Sequence, residues 1–220
     1  MAKLKAGVLI SGSGTNLQAL LDAAAKPDYP VEIVLVISNK GEAYGLERAQ
    51  AAGVATVVIN HRDFDKRERF DDALDAALRD AGCDLVCLAG FMRLLTAGFV
   101  EGWNDRLINI HPSLLPSFRG LDAQAQALAA GVRIAGCSVH FVRAKMDVGP
   151  IIMQATVPVL DDDDADKLSA RILEVEHRIY PLAVRLIGEG RVTVEGDMVR
   201  ISGDDPTRTD SLISPGRDSG

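Results

Sequence analysis

The hydrophobic positions of the chain alternate between short apolar runs and longer segments with helical spacing. The apolar runs are nearly unbroken, as in parallel strands covered on both faces, and they lie at 6–11, 31–38, 55–60, 84–91 and 107–110. Between them apolar residues recur with helical spacing, most clearly over 65–81, where Phe70, Leu74 and Leu78 form one stripe. This rhythm predicts an α/β fold of one domain with a mainly parallel, open twisted sheet.

The pattern changes in the last third of the chain. Strand-like runs, a long helix and a hairpin are predicted there, in that order, at 134–142, 150–159, 166–187 and 191–201. We therefore expect the sheet to carry an antiparallel extension followed by a hairpin. The residues that follow are polar and contain few hydrophobic side chains, so we predict a folded domain over 1–202 and a disordered polar tail over 203–220.

One predicted strand, over 107–111, carries polar residues that a buried strand seldom tolerates without partners. Side chains alternate faces along a strand, so Asn109 and His111 point the same way. Pro112 then ends the strand, which leaves an amide and an imidazole at its carboxyl end, where α/β sheets usually hold ligands. Both a hydrogen-bonded strand end and a reactive pair fit this pattern.

The first strand runs directly into the Gly/Ser-rich turn Ser11-Gly12-Ser13-Gly14-Thr15-Asn16, and a helical pattern follows. Such a turn exposes backbone N–H groups at the positive end of a helix, which suits a phosphate. It is a poor dinucleotide fingerprint, because Leu17 stands where the third glycine should fall, and it is not a Walker loop. A tight turn without a ligand is the alternative.

Composition narrows the classes of function. The chain has 220 residues and a formal net charge of −7, which argues against general binding to nucleic acid or membrane surfaces. Its three cysteines and four histidines show no ligand spacing, so we expect no metal. No signal peptide or membrane-spanning run is evident. We expect a cytoplasmic protein with small-molecule substrates, no nucleic-acid or membrane partner, and a monomeric or weakly dimeric state.

Five motifs lie at 11–16, 90–93, 109–116, 138–142 and 147–150. Together they resemble those of glycinamide ribonucleotide formyltransferases, the folate-dependent enzymes of purine synthesis, and the resemblance covers residues 3–201. The Asn-x-His-Pro-Ser-Leu-Leu-Pro segment is shared with the wider formyltransferase and formyl-hydrolase superfamily, whereas the Ser-Gly-Ser-Gly-Thr-Asn turn looks like this family's phosphate loop. From the chain's length we expect neither the extra C-terminal nor the extra N-terminal domain of other superfamily members.

The resemblance implies a Rossmann-like formyltransferase fold and a role for each matching residue. Asn109, His111 and Asp147 are the implied catalytic residues, and Glu176 is implied to bind ribose hydroxyls. Some members carry a basic residue where this chain has Leu173, so a charged contact from that helix to the phosphate is not expected. The segment 117–123 receives no role. The substrate phosphate is assigned to Gly12, Ser13, Gly14, Thr15 and Asn16, and the folate to Arg67, Met92, Arg93, Leu94, Leu95, Val142, Arg143, Ala144, Lys145 and Met146.

The implied reaction transfers the formyl group of 10-formyltetrahydrofolate to an amine, and no metal is implied. Asn109 and a protonated His111 would donate hydrogen bonds to the oxyanion of a tetrahedral intermediate, while Asp147 favours the protonated imidazole and holds a proton-relaying water. The alternatives are a formyltetrahydrofolate hydrolase, an NAD-dependent oxidoreductase suggested by Gly12-x-Gly14, and a non-catalytic nucleotide-binding module.

Overall fold

The computed structural model describes residues 2–203, so the predicted tail lies outside the described residues from position 204 onward. The main sheet contains β1 Leu4–Ile10, β2 Val31–Ser38, β3 Ala55–Val58, β4 Leu85–Leu88, β5 Leu107–His111, β6 Ile134–Phe141 and β7 Ile151–Pro158. The helices are α1 Thr15–Ala24, α2 Tyr44–Ala51, α3 Arg67–Asp80, α4 Ala97–Gly102, α5 Ala123–Ala129 and α6 Ala165–Gly188. A separate hairpin joins β8 Val192–Glu195 to β9 Met198–Ile201.

The sheet has seven strands in the order β3-β2-β1-β4-β5-β6-β7. The first five strands pair in parallel, whereas β6 pairs antiparallel with β5 and with β7. The predicted fold class is confirmed, including the antiparallel extension and the hairpin. The carboxyl ends of β1, β4 and β5 are neighbours at one edge, which is where an open α/β sheet holds its ligands.

Both faces of the sheet are covered, which explains why the strands read as unbroken apolar runs. On one face Val8 and Ile10 of β1 share a buried cluster with residues of α1 and α6. On the other face Leu9 joins a second cluster that includes Leu74 of α3 and the fully buried Trp103. The two clusters hold the parallel strands from opposite sides, so the strand ends at the ligand edge have a rigid support.

Two strands are shorter than the hydrophobic runs that predict them. β3 ends at Val58, and Asn60 then accepts a hydrogen bond from the Arg62 N–H at the start of a turn of 3₁₀ helix. β4 ends at Leu88, and Gly90 then turns the chain with a φ of 75°. One further backbone bond follows each strand, from the Ile59 N–H to the Ser38 carbonyl and from the Ala89 N–H to the Leu9 carbonyl.

Two further features of the fold concern the cysteine side chains and the apolar character of the helices. Cys83, Cys87 and Cys137 are free thiols buried in the core. Within residues 2–203 no helix has both the length and the apolar character needed to cross a bilayer.

We predict that Gly136→Ala destabilises the domain. A methyl group on Gly136 of β6 would lie 1.9 Å from the Ala155 carbonyl oxygen of β7, so the two strands must separate locally. Urea denaturation should show a loss of about 1–3 kcal/mol in the free energy of unfolding. The control is Gly41→Ala, since no atom lies within 4 Å of the added methyl. Equal midpoints for the two variants would contradict the prediction.

Candidate functional site

The site is built around the carboxyl end of β5. Asn109 pairs with His140 of β6 across the antiparallel ladder, and His111 pairs with Ser138. Asn109 and His111 lie on one face, whereas Ile108 and Ile110, which alternate with them, belong to the buried apolar cluster on the other face. The amide and the imidazole are therefore side by side at the ligand edge, as the alternation along the strand predicts.

His140 fixes the orientation of the Asn109 amide. Its Nδ1 lies 2.9 Å from the Phe141 carbonyl, which can only accept, so Nδ1 carries the hydrogen. The bare Nε2, 3.3 Å from Asn109 Nδ2, accepts from the amide. Burial lowers the pKa of His140, which keeps the ring neutral and the acceptor available. The second amide hydrogen of Asn109 has no partner within residues 2–203 and is available to a ligand.

His111 is almost fully buried and its ring lies between two loops. Nε2 donates to the Phe118 carbonyl at 3.0 Å, while Nδ1 lies 3.7 Å from Asp147 Oδ2. A carbonyl only accepts, so Nε2 keeps its hydrogen and Nδ1 is the nitrogen that gains or loses a proton. The distance to Asp147 is too long for a direct hydrogen bond and leaves room for a third group.

Asp147 comes from the loop after β6, distant in sequence from β5. Its backbone has a φ of 50°, a conformation that Asp and Asn tolerate better than most residues. Its Oδ2 accepts a 2.7 Å hydrogen bond from the Gly120 N–H, and the side chain is largely buried. Asn109, His111 and Asp147, the three catalytic candidates, are thus brought together at one strand end.

The segment to which sequence reasoning gave no role supports two of these side chains. Residues 117–122, here called the clamp loop, supply the Phe118 carbonyl to His111 and the Gly120 N–H to Asp147. Both contacts are made by backbone atoms, so the identity of the loop side chains gave no signal. The only hint was Gly120, whose φ of 79° lies in the region that favours glycine.

The Gly/Ser-rich turn forms a cradle at the N-terminus of α1. No acidic residue lies in the first helical turn and no side chain caps it, so its backbone N–H groups keep their positive field. Gly14 has a φ of 69° and lies against Gly45 of α2, where a methyl group would come within 2.6 Å of the Gly45 Cα. The Ser11 hydroxyl donates to Asn39 and accepts from the Met92 N–H, which ties the turn to its neighbouring strand ends.

Arg48 supports the cradle from behind and was missed by the sequence analysis. Its Nε donates to the Ser13 carbonyl at 2.9 Å, and its guanidinium lies over the Tyr44 ring. Its charge also reaches α6, because the pKa of His177 is lowered by burial and then by Arg48. The position follows from the packing of α2 against α1, which nothing in the local sequence around Arg48 reveals.

Glu176 lies directly beside the cradle on α6. Asn16 Nδ2 donates to Glu176 Oε2 at 2.7 Å, and both side chains are buried. Burial raises the pKa of Glu176 to about 7, although the Asn16 hydrogen bond opposes the shift. The side chain of Asn16 is therefore held by Glu176, and its backbone N–H is what it can offer to a phosphate. Asn16 Oδ1 is buried without a hydrogen-bond partner among the described residues.

The residues predicted to hold a folate surround the same edge. Leu95 and Val142 are half-buried against one apolar cluster, which joins the loop after β4 to the loop after β6. Arg67 begins α3, and the Asp71 carboxylate of that helix accepts from the Thr96 N–H at 2.6 Å. Arg93, Ala144 and Lys145 are exposed, and Arg143 pairs with Asp105. The rim also exposes large apolar side chains, namely Met92, Leu94, Leu121 and Met146.

This rim suits a flat apolar ligand, because exposed apolar side chains grouped at a cleft are typical of ligand-binding edges. Residues 2–203 contain no group of three or more His, Cys, Asp or Glu side chains arranged to hold a metal ion. What the site offers chemically is hydrogen-bond donors, the imidazole of His111 and the carboxylate of Asp147.

The chain is similar to known proteins in sequence and in fold. The formyl transferase family matches residues 4–184. Trifunctional purine biosynthetic protein adenosine-3 of Gallus gallus is 50% identical over 192 residues, which are 87% of this chain. The chain spans 19% of the length of that protein.

Single-function relatives match over nearly their whole length. Phosphoribosylglycinamide formyltransferase of Escherichia coli (strain K12) is 44% identical over 196 residues, covering 89% of this chain and 92% of the relative. The crystal structure of glycinamide ribonucleotide transformylase 1 from Symbiobacterium toebii superposes with a TM-score of 0.89 at 53% identity. The superposition covers 90% of this chain and 94% of the Symbiobacterium toebii chain.

We predict that Glu176→Gln flattens the pH dependence of stability. The pKa of Glu176 is raised on folding to about 7, so its contribution is present below the unfolded value and is lost as pH rises through about 7. Gln keeps an acceptor for Asn16 without a charge. Between pH 5 and pH 8 the wild-type protein should lose on the order of 2 kcal/mol more unfolding free energy than the variant in urea titrations. Parallel losses in the two proteins would contradict this.

Proposed function

The chain belongs to the formyl transferase family, and from this premise we propose that it transfers the formyl group of 10-formyltetrahydrofolate to the amine of glycinamide ribonucleotide. The names of its relatives, phosphoribosylglycinamide formyltransferase and glycinamide ribonucleotide transformylase, support this reaction over formyl-folate hydrolysis and over NAD-dependent oxidation. The activity belongs to de novo purine synthesis, as the names of the trifunctional relatives indicate.

One observation carries the assignment of the substrate: a phosphate cradle and a reactive strand end open at the same edge of the sheet. The cradle follows β1, the Asn109/His111 pair ends β5, and only β4 lies between those two strands. Neighbouring strands are about 4.8 Å apart, so the two centres are roughly 10 Å apart. A ribonucleotide with its phosphate in the cradle and Glu176 at its ribose hydroxyls can direct its glycinamide amine toward β5.

The strand-end residues act on the tetrahedral intermediate. The amine nitrogen bonds to the formyl carbon, and the formyl oxygen becomes an oxyanion. The free N–H of Asn109 and a protonated Nδ1 of His111 donate to that oxygen, and each such donor is worth about 3 kcal/mol of barrier. The His140 acceptor and the Phe118 carbonyl hold the two donor groups before the substrate arrives, so little reorganisation is needed during reaction.

Asp147 assists proton transfer between the two reacting nitrogens. The attacking amine must lose a proton, and the folate nitrogen must gain one as its bond to the formyl carbon breaks. The carboxylate lies 3.7 Å from His111 Nδ1, and it can orient a water that carries the proton between the two nitrogens. The hydrogen bond from Gly120 leaves the other carboxylate oxygen for that water.

The folate is assigned to the apolar rim and the loops beside it. Met92, Leu94 and Met146 expose apolar surface next to the strand ends, and such surface binds aromatic rings. Arg67, Arg93 and Lys145 supply positive charge around this rim, which suits the carboxylates of a folate tail. We also propose that the protein works in the cytoplasm as a monomer or weak homodimer. The net charge of −7 supports the absence of nucleic-acid and membrane-surface partners.

A product assay tests the function directly. Purified protein with 10-formyltetrahydrofolate should form formylated ribonucleotide only when glycinamide ribonucleotide is present, with one deformylated folate per product. The dephosphorylated ribonucleoside should have a much higher KM, since it cannot use the cradle. Release of free formate as the main product would overturn the transferase assignment.

We predict that Asp147→Asn reduces kcat by a factor of about 10²–10⁴ and leaves the KM for the folate nearly unchanged, because the carboxylate acts on protons. Asn tolerates the left-handed backbone of this position, so the loop should keep its path. The matched control is Asp105→Asn, another Asp with positive φ, at 55°, and kcat should stay within about threefold. An Asp147→Asn rate above about a tenth of wild type would count against the role.

A further inference from the structure

The side chain of Gln126 ties down the clamp loop from α5. Gln126 Nε2 lies 2.8 Å from the Leu121 carbonyl oxygen and 3.1 Å from the Arg119 carbonyl oxygen. A primary amide nitrogen has two hydrogens, so one side chain donates to two carbonyls of the same loop. Both donors of this amide are thereby committed to the loop backbone.

The backbone groups of the clamp loop divide between two sides. The Phe118 carbonyl and the Gly120 N–H serve His111 and Asp147, whereas the Arg119 and Leu121 carbonyls serve Gln126. This division depends on left-handed backbone at alternate positions, with φ values of 53° at Phe118, 79° at Gly120 and 56° at Asp122. For a residue other than glycine such a conformation costs free energy, so surrounding contacts must hold it.

Packing holds the loop through one side chain, Phe118, which is half-buried against the apolar cluster that contains Ile108 and Ile110. Leu121 is 77% exposed, and Ser117, Arg119 and Asp122 are also exposed. A cavity of about 130 Å³ lies under the loop, lined by Phe118 and by small residues of β6 and α5. Hydrogen bonds define the path on either side of Phe118: the Ser113 hydroxyl donates to the Ser117 carbonyl at the start of the loop, and Gln126 holds its far end.

We propose that Gln126 is a positioning residue for formyl transfer. By fixing the Arg119 and Leu121 carbonyls, it keeps the Phe118 carbonyl on His111 Nε2 and the Gly120 N–H on Asp147. The imidazole then keeps its hydrogen on Nε2 and its orientation, in which Nδ1 faces the carboxylate and the reacting formyl group. The catalytic meaning of this arrangement rests on the proposed function, whereas the structural link from Gln126 to His111 and Asp147 does not.

The first test is Gln126→Met, which keeps the length and helix propensity of the side chain and removes its donors. We expect kcat to fall 10- to 100-fold, with the KM values for both substrates within about threefold of wild type, because the binding residues are untouched. Gln124→Met on the same helix is the matched control, since its carboxamide makes no hydrogen bond to the clamp loop in the part of the chain described here. It should keep kcat within twofold.

The second test reads the imidazole itself by ¹⁵N nuclear magnetic resonance. In wild type the His111 Nε2 hydrogen should exchange slowly with solvent, and in Gln126→Met it should exchange at least tenfold faster, as should the Gly120 amide. A kcat within twofold of wild type in Gln126→Met, equal losses in Gln124→Met, or unchanged exchange despite a lower kcat would each overturn the proposal.

The exchange measurement separates failure of the positioning link from failure of the proposed function. If wild-type protein makes no formylated ribonucleotide while exchange at His111 depends on Gln126, the proposed function fails and the positioning link is upheld. If Gln126→Met does not fold, Gln126→Ala carries the same expectations, because alanine is the best helix former and position 126 is exposed.

Discussion

The arrangement depends on the need to satisfy polar groups at the buried end of β5. A buried donor or acceptor left without a partner costs about 1–3 kcal/mol, so Asn109 and His111 are tolerable there only because other groups meet them. His140 of the neighbouring strand accepts a hydrogen bond from the amide, and the Phe118 carbonyl of the clamp loop accepts one from the imidazole. One amide hydrogen and one ring nitrogen keep no hydrogen-bond partner among residues 2–203, and a reacting formyl group can use them.

The same logic governs the phosphate end of the site. The first turn of α1 carries no acidic residue, so its N–H groups are not neutralised by the chain itself. Arg48 holds the Ser13 carbonyl on the rear side of the turn, and Asn16 is held by Glu176. The cradle is thus preorganised by contacts from α2 and α6. Preorganisation matters because ordering loops during binding would reduce the affinity gained from the phosphate.

Some residues of the site could be predicted from the sequence and others could not. The β5 pair was predictable because alternation along a strand is a local rule, and the Gly/Ser-rich turn because strand, glycines and helix follow each other directly. Asp147 received a role only from the family resemblance, because its closeness to His111 arises from tertiary structure and not from local sequence. The clamp loop and Arg48 act on or through main-chain atoms, and main-chain hydrogen bonds leave no mark in residue identity.

The use of main-chain anchors in the clamp loop has an evolutionary consequence. The groups that hold His111 and Asp147 are a carbonyl and an amide N–H, which every non-proline residue possesses. The exposed side chains of Ser117 and Arg119 can therefore change without disturbing the chemistry, provided that the path of the chain is conserved. Selection at these positions should act on backbone shape, so mutational tolerance is high next to the reacting atoms.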